Sequence, residues 1–163
     1  MRYCKLNKKS SITILLSVIL GTAAGYGIGR YLKKPTEKKY VSYQVSYLMM
    51  LHWFEKKRAG IDINEYFVQR GYHNIAVYGV GNAGELLLSE LDQNKVRVEY
   101  LIDRDTSKKI DGYKTYSLDD DLGPVDAIVV SAVHAFDDIE CELMQKVLYP
   151  IISLDDVIYD MGR

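Results

Sequence analysis

The sequence predicts an α/β chain built on a parallel sheet, and three observations carry that prediction. Strand-like and helix-like stretches alternate over 74–159, one strand-like run is apolar without a break, and a glycine-rich turn joins a strand to a helix. Ahead of this region the chain reads differently. A basic tail, 1–9, precedes a predicted transmembrane helix over 10–32, and an amphipathic juxtamembrane helical segment follows over 36–71. The remainder, 72–163, is the expected sheet domain.

The membrane span is predicted from residues 10–29, which are 20 in number and uncharged, between Lys8-Lys9 and Arg30. As a helix, 20 residues rise about 30 Å, roughly the hydrocarbon thickness of a bilayer. Gly21, Gly25 and Gly29 recur every four residues on one face, so a homodimer through these glycines is an expected association. A cleaved signal peptide is the alternative, with Thr22-Ala23-Ala24 near the cut. Cleavage would release an acidic ligand-binding domain outside the cell, so the reading favours an anchor. Arg30, Lys33, Lys34, Lys38 and Lys39 tip the charge count toward a cytoplasmic domain. The expected location is therefore the cell membrane, single-pass, with membrane lipid as one partner.

Pro35 suits the start of the next helix. Tyr40, Tyr43, Tyr47, Leu51 and Phe54 step by three and four, widened by Val41, Val45 and Leu48, and such a face needs something to pack on. A short helix near 64–70 ends at Gly71. Strands then follow at 75–78, 96–102, 113–116, 127–131 and 150–153, with helices through Leu91, over 137–148 and near 154–159. The unbroken Ala127-Ile128-Val129-Val130 marks a strand buried on both faces.

Gly79-Val80-Gly81-Asn82-Ala83-Gly84 is a complete G-x-G-x-x-G at a strand-to-helix turn. Gly79 permits the turn, Gly81 removes a side chain from the path of a pyrophosphate, and Gly84 lets the helix sit close to the strand. The amides of Asn82 and Ala83 open the helix, whose positive end favours phosphate. Asp103 follows Gly84 by 19 residues at the end of the second strand, where an acid takes ribose hydroxyls. The pattern predicts a Rossmann-like, doubly wound sheet that binds NAD or another nucleotide. An acid there favours NAD over NADP, and Arg104 softens that preference. Glu85 is an anion in the first helical turn that would repel a pyrophosphate if it faced the loop.

Ser131 and His134 follow the central strand at its carboxyl end, the ligand side of open α/β sheets, and complete the candidate set. His134 has no carboxylate or nucleophile beside it in sequence, so a plain loop histidine is the alternative. None of the 14 tyrosines is followed four residues later by lysine, and no second domain remains to hold a substrate. A hydride-transfer enzyme needs both proton transfer and positioning, so a non-catalytic role is expected.

Charge excludes some classes. Residues 1–58 hold 12 Lys/Arg against Glu37 and Glu55, a balance of +10, and the rest of the chain carries −11. The acidic remainder lacks the clustered cations that nucleic acid needs, so no nucleic-acid partner is expected. Cys4 and Cys141 lie on opposite sides of the apolar run, and His52, His73 and His134 have no close Cys/His spacing, so no metal site is expected.

Three stretches also resemble a known family. They are Tyr78-Gly79-Val80-Gly81-Asn82-Ala83-Gly84-Glu85-Leu86-Leu87, Leu101-Ile102-Asp103-Arg104-Asp105-Thr106-Ser107-Lys108-Lys109, and Asp126-Ala127-Ile128-Val129-Val130. Together they resemble the N-terminal Rossmann domain of membrane-anchored polysaccharide-biosynthesis proteins of the nucleotide-sugar epimerase/dehydratase type. They are similar as well to the nucleotide-sugar-binding domain of sialic-acid-type sugar acyltransferases. The resemblance implies a nucleotide or nucleotide-sugar ligand and a glycan-biosynthesis enzyme as partner, while the catalytic domain of those families is missing. Three roles follow: a sensor or recruiting module, a subunit completed by a catalytic chain, or a ligand-free scaffold.

Overall fold

The computed structural model describes residues 39–163. Gln44–Arg163 form one compact unit. The expected transmembrane helix over 10–32, with Gly21, Gly25 and Gly29, lies outside the described residues. Among the described residues no helix is long and apolar enough to cross a membrane. The longest, helical from 39 to 58, carries Lys39, Glu55, Lys56, Lys57 and Arg58 besides Ser42, Gln44, Ser46 and His52. The single-pass, membrane-anchored reading is corrected accordingly, and the fold class becomes a parallel α/β sheet flanked by helices.

In chain order the elements are α1 (39–58), α2 (Ile63–Gln69), β1 (Asn74–Tyr78), α3 (Asn82–Glu90), β2 (Arg97–Ile102), β3 (Thr115–Tyr116), β4 (Ala127–Val130), a 3-10 turn (Val133–Ala135), α4 (Phe136–Leu143), β5 (Ile151–Ser153) and α5 (Leu154–Asp160). The five strands are all parallel in the order β3-β2-β1-β4-β5. Strand order therefore reverses between β1 and β4, and in open parallel sheets ligands bind at the carboxyl ends beside such a reversal.

Alternation along the strands makes two cores. Ile75, Val77, Ala127 and Val129 face one side with Leu87, Phe67, Leu154 and Ile158; Ala76, Tyr78, Ile128 and Val130 face the other with Ile139 and Leu143. So α1, α2, α3 and α5 cover one face and α4 the other, the doubly wound arrangement. A bulge shifts the β1–β2 register between Ile75 and Ala76, leaving Glu99 unpaired. It sends Val98 to the first core and Tyr100 to the second, although strict alternation would put both on one face.

The compact unit starts at Gln44, well before the boundary at 72 expected from sequence. Met49 and Trp53, one helical turn apart, are the residues of α1 that enter the core. The Lys56 ammonium fixes that orientation by donating to the carbonyls of Tyr159 (3.3 Å) and Met161 (2.7 Å) at the end of α5. The His52 ring lies 4.4 Å from that of Tyr159. Tyr40, Tyr43, Tyr47, Leu51 and Phe54, the face expected to need a partner, are exposed. Buried Asn64 ties α2 to the end of α3: its amide donates to the Glu90 carbonyl at 3.0 Å and its oxygen accepts from Asp92 N–H at 2.9 Å.

Candidate functional site

The glycine turn sits at the carboxyl end of β1, beside the reversal. Gly79 has φ of 100°, the left-handed region that disfavours a side chain, and its N–H donates to the Ile102 carbonyl at 2.8 Å. Gly84 is buried in α3 with its Cα against the turn. A Cβ there would lie 2.1 Å from the Gly79 carbonyl oxygen and 3.3 Å from its carbon. Gly81 is the opposite case: a Cβ on it would meet nothing within 4 Å, so the space above the loop is open.

Gly81 is the N-cap of α3, and no side chain caps that end. The first intrahelical bond runs from Glu85 N–H to the Gly81 carbonyl at 2.9 Å. The N–H groups of Asn82, Ala83 and Gly84 precede it and stand as donors at the positive end of the helix. Asn82 is exposed, Ala83 half-buried, and Glu85 exposed.

Asp103 ends up under the same loop. Its backbone is held by an N–H donated to the Tyr116 carbonyl at 3.0 Å, and its side chain is buried. Oδ2 accepts from Val80 N–H at 2.7 Å, within the glycine loop itself, and Oδ1 accepts from Asp105 N–H at 2.9 Å. The Lys108 ammonium lies across both oxygens at 3.2 and 3.4 Å. Burial pushes the Asp103 carboxyl up, but the N–H groups of Asp105 and Val80 and the Lys108 charge outweigh it and hold its pKa below 3.8.

A carboxyl held low when folded contributes stability above the unfolded pKa and loses it as pH falls through the folded value. Asp103 therefore contributes its full stabilisation above the ordinary carboxyl value of 3.8 and loses it progressively as pH falls from there through the lower folded value. Urea midpoints at pH 5 and pH 3 check this: the drop is expected to be smaller in Asp103→Asn than in the unsubstituted chain. An equal drop would contradict the assignment.

The remaining candidates separate. Ser131 is buried and its hydroxyl donates to the Gly79 carbonyl at 2.8 Å, while its N–H donates to the Tyr78 carbonyl at 2.9 Å. It therefore latches β4 to the turn. Arg104 turns to the α4 side, donating to Glu142 at 2.9 Å, with its charge also beside Tyr78. The Tyr78 hydroxyl is buried without a hydrogen-bond partner, and desolvation pushes its pKa up. His134 is exposed in the 3-10 turn. The structure thus brings together the glycine loop, Asp103 and Ser131, while Arg104 pairs with Glu142 and His134 is exposed in the 3-10 turn.

Sequence reasoning gave Lys108 and the Val80 amide no role, because a lysine in a loop has no periodic signature and a backbone donor has none at all. A groove of about 640 Å³ lies at the amino ends of β1 and β4, lined by Asn74, Tyr100, Tyr116 and Asp126 among others. Asp126 is already committed there, accepting from His73 and Asn74 N–H at 2.8 and 2.6 Å. Uncommitted donors and open space coincide at the glycine loop, which makes it the candidate site. Among the described residues no cluster of His, Cys, Asp and Glu could hold a metal ion.

Residues 71–150 match a family model described as C2185-like, N-terminal. The match runs from the turn before β1 to the residue before β5, so it contains the glycine loop, Asp103, Lys108 and Ser131, and omits α1, α2 and α5. No curated protein matches the chain.

Proposed function

We propose that this chain carries a non-catalytic nucleotide-binding module whose ligand is NAD or a nucleotide-sugar. The glycine loop takes the phosphates and Asp103 the ribose. What supports the reading above all is one juxtaposition. The open space over Gly81 adjoins the free amides of Asn82, Ala83 and Gly84, and the Val80 N–H of the same loop holds a buried carboxylate at 2.7 Å. Phosphate favours such amides, and ribose hydroxyls favour such a carboxylate. With no Tyr-x-x-x-Lys pair in the sequence, the module senses its ligand or presents it to an enzyme on another chain. The resemblance to polysaccharide-biosynthesis proteins makes a glycan-assembly enzyme the partner to try first.

Thermal shift of the full chain against NAD, NADP, coenzyme A and a set of nucleotide-sugars tests this. A ligand at 100 times its Kd adds about 2.7 kcal/mol, a shift of several degrees for a domain of this size. A shift that disappears in Asp103→Ala is the expected result. No shift from any compound, in a chain that melts cooperatively, would overturn the reading.

A further inference from the structure

We infer that Lys108 is a built-in competitor for the ribose position, a gate that a nucleotide must displace from Asp103; this rests on the nucleotide reading above. An ionised carboxylate offers about four acceptor directions. At Asp103 all four are taken: one by Val80 N–H, one by Asp105 N–H and two by the Lys108 ammonium that bridges Oδ1 and Oδ2. The two amide bonds belong to the backbone and fix the rotamer. A ribose diol needs two acceptors, so the one group free to leave is Lys108.

Lys108 is suited to leaving. Its side chain is 44% exposed against 11% for Asp103, so water takes up the ammonium as the carboxylate changes partner. It sits on the loop after β2, and its backbone is tied by an N–H donated to the Asp105 carbonyl at 3.2 Å and by a carbonyl that accepts from the Thr115 hydroxyl at 3.2 Å. The ammonium therefore swings on its own flexible stem without moving the loop. In the ligand-free state it neutralises a buried charge that would otherwise face the open loop alone.

Adenosine is the probe, because it carries the ribose diol and no phosphate to attract a lysine. Its affinity is measured by NMR titration of the full chain, of Lys108→Met and of Lys109→Met; the last removes the same charge from the neighbouring exposed residue. Removing an exposed ion-pair competitor is expected to tighten binding roughly three- to fivefold in Lys108→Met. Lys109→Met should match the unsubstituted chain. In the unsubstituted chain, added salt weakens the gate and tightens binding; in Lys108→Met it does not. Equal affinities in all three proteins would overturn the gate and leave the nucleotide reading standing, as would equal tightening in both variants. If adenosine, NAD and every nucleotide-sugar of the panel bind to none of the three folded proteins, the nucleotide reading falls and takes the gate with it.

Discussion

Replacing Gly84 by alanine is expected to cost about 3 kcal/mol of stability, although alanine is ordinarily the better helix residue. The added methyl would sit 2.1 Å from the Gly79 carbonyl oxygen and 3.1 Å from the Ser131 hydroxyl. The first of these is backbone. It cannot move without breaking the bond that Ser131 donates to the same oxygen at 2.8 Å and disturbing the turn that precedes Asp103's partner, Val80. Gly81→Ala in the same motif meets nothing within 4 Å and changes an N-cap residue, so about 1 kcal/mol or less is expected. Urea denaturation of the two variants side by side measures the contrast. Equal losses would mean that α3 does not lie against the turn as described.

The second large effect is at Trp53, which sequence periodicity would not single out. Trp53→Ala is expected to cost about 3–5 kcal/mol, the range for truncating a buried large aromatic. Since domain stabilities run to about 5–15 kcal/mol, that is a large share of the whole. Trp53 is 4% exposed and shares its core with Met49, Phe67, Leu154 and Ile158. A fragment starting at 72 loses Trp53, Met49 and Phe67 together, whereas one starting at 44 keeps them. Circular dichroism with urea titration is expected to show cooperative unfolding for 44–163 and none for 72–163. Cooperative unfolding of 72–163 at the longer fragment's midpoint would contradict the account of α1 and α2 as core elements.

These two cases show what was legible in the sequence. The glycine motif was readable because each glycine answers a backbone constraint, and Ala127-Ile128-Val129-Val130 was readable because a strand covered on both faces has no polar side. The parallel sheet and its alternation of elements followed from those signals. The packed face of α1 was not readable. Its aromatic stripe out-scores the Met49–Trp53 pair in any periodicity argument, and the choice between faces is made by tertiary bonds such as Lys56 to the Met161 carbonyl. The bulge at Glu99 was hidden for a similar reason, since Val98, Tyr100 and Ile102 spell ordinary alternation.

Around the glycine loop, the spacing of Asp103 from Gly84 made it legible as a strand-end acid, and the structure sets its carboxylate against the Val80 N–H. The partners that saturate it were not legible, because Val80 contributes an amide and Lys108 arrives through a turn. Ser131 follows β4 as the sequence implies, and its contact with the Gly79 carbonyl depends on how closely β1 and β4 approach. The prediction of a membrane anchor rests on the uncharged run over 10–29, its basic flanks and the argument against cleavage. That segment lies outside the described residues, and no described helix has the length and apolar character to cross a membrane.

The most direct measurement is a map of backbone amide shifts across Gly79–Glu85 and Asp103–Lys108 as NAD or the best-binding nucleotide-sugar is titrated into the full chain. The amides of Asn82, Ala83 and Gly84 precede the first intrahelical bond, so phosphate should move them most. The account predicts saturable shifts centred on those three amides, on Val80 and on Asp105, all lost in Asp103→Ala. Saturable shifts centred instead on Asn74, Tyr100 and Asp126, with the glycine loop unmoved, would contradict it.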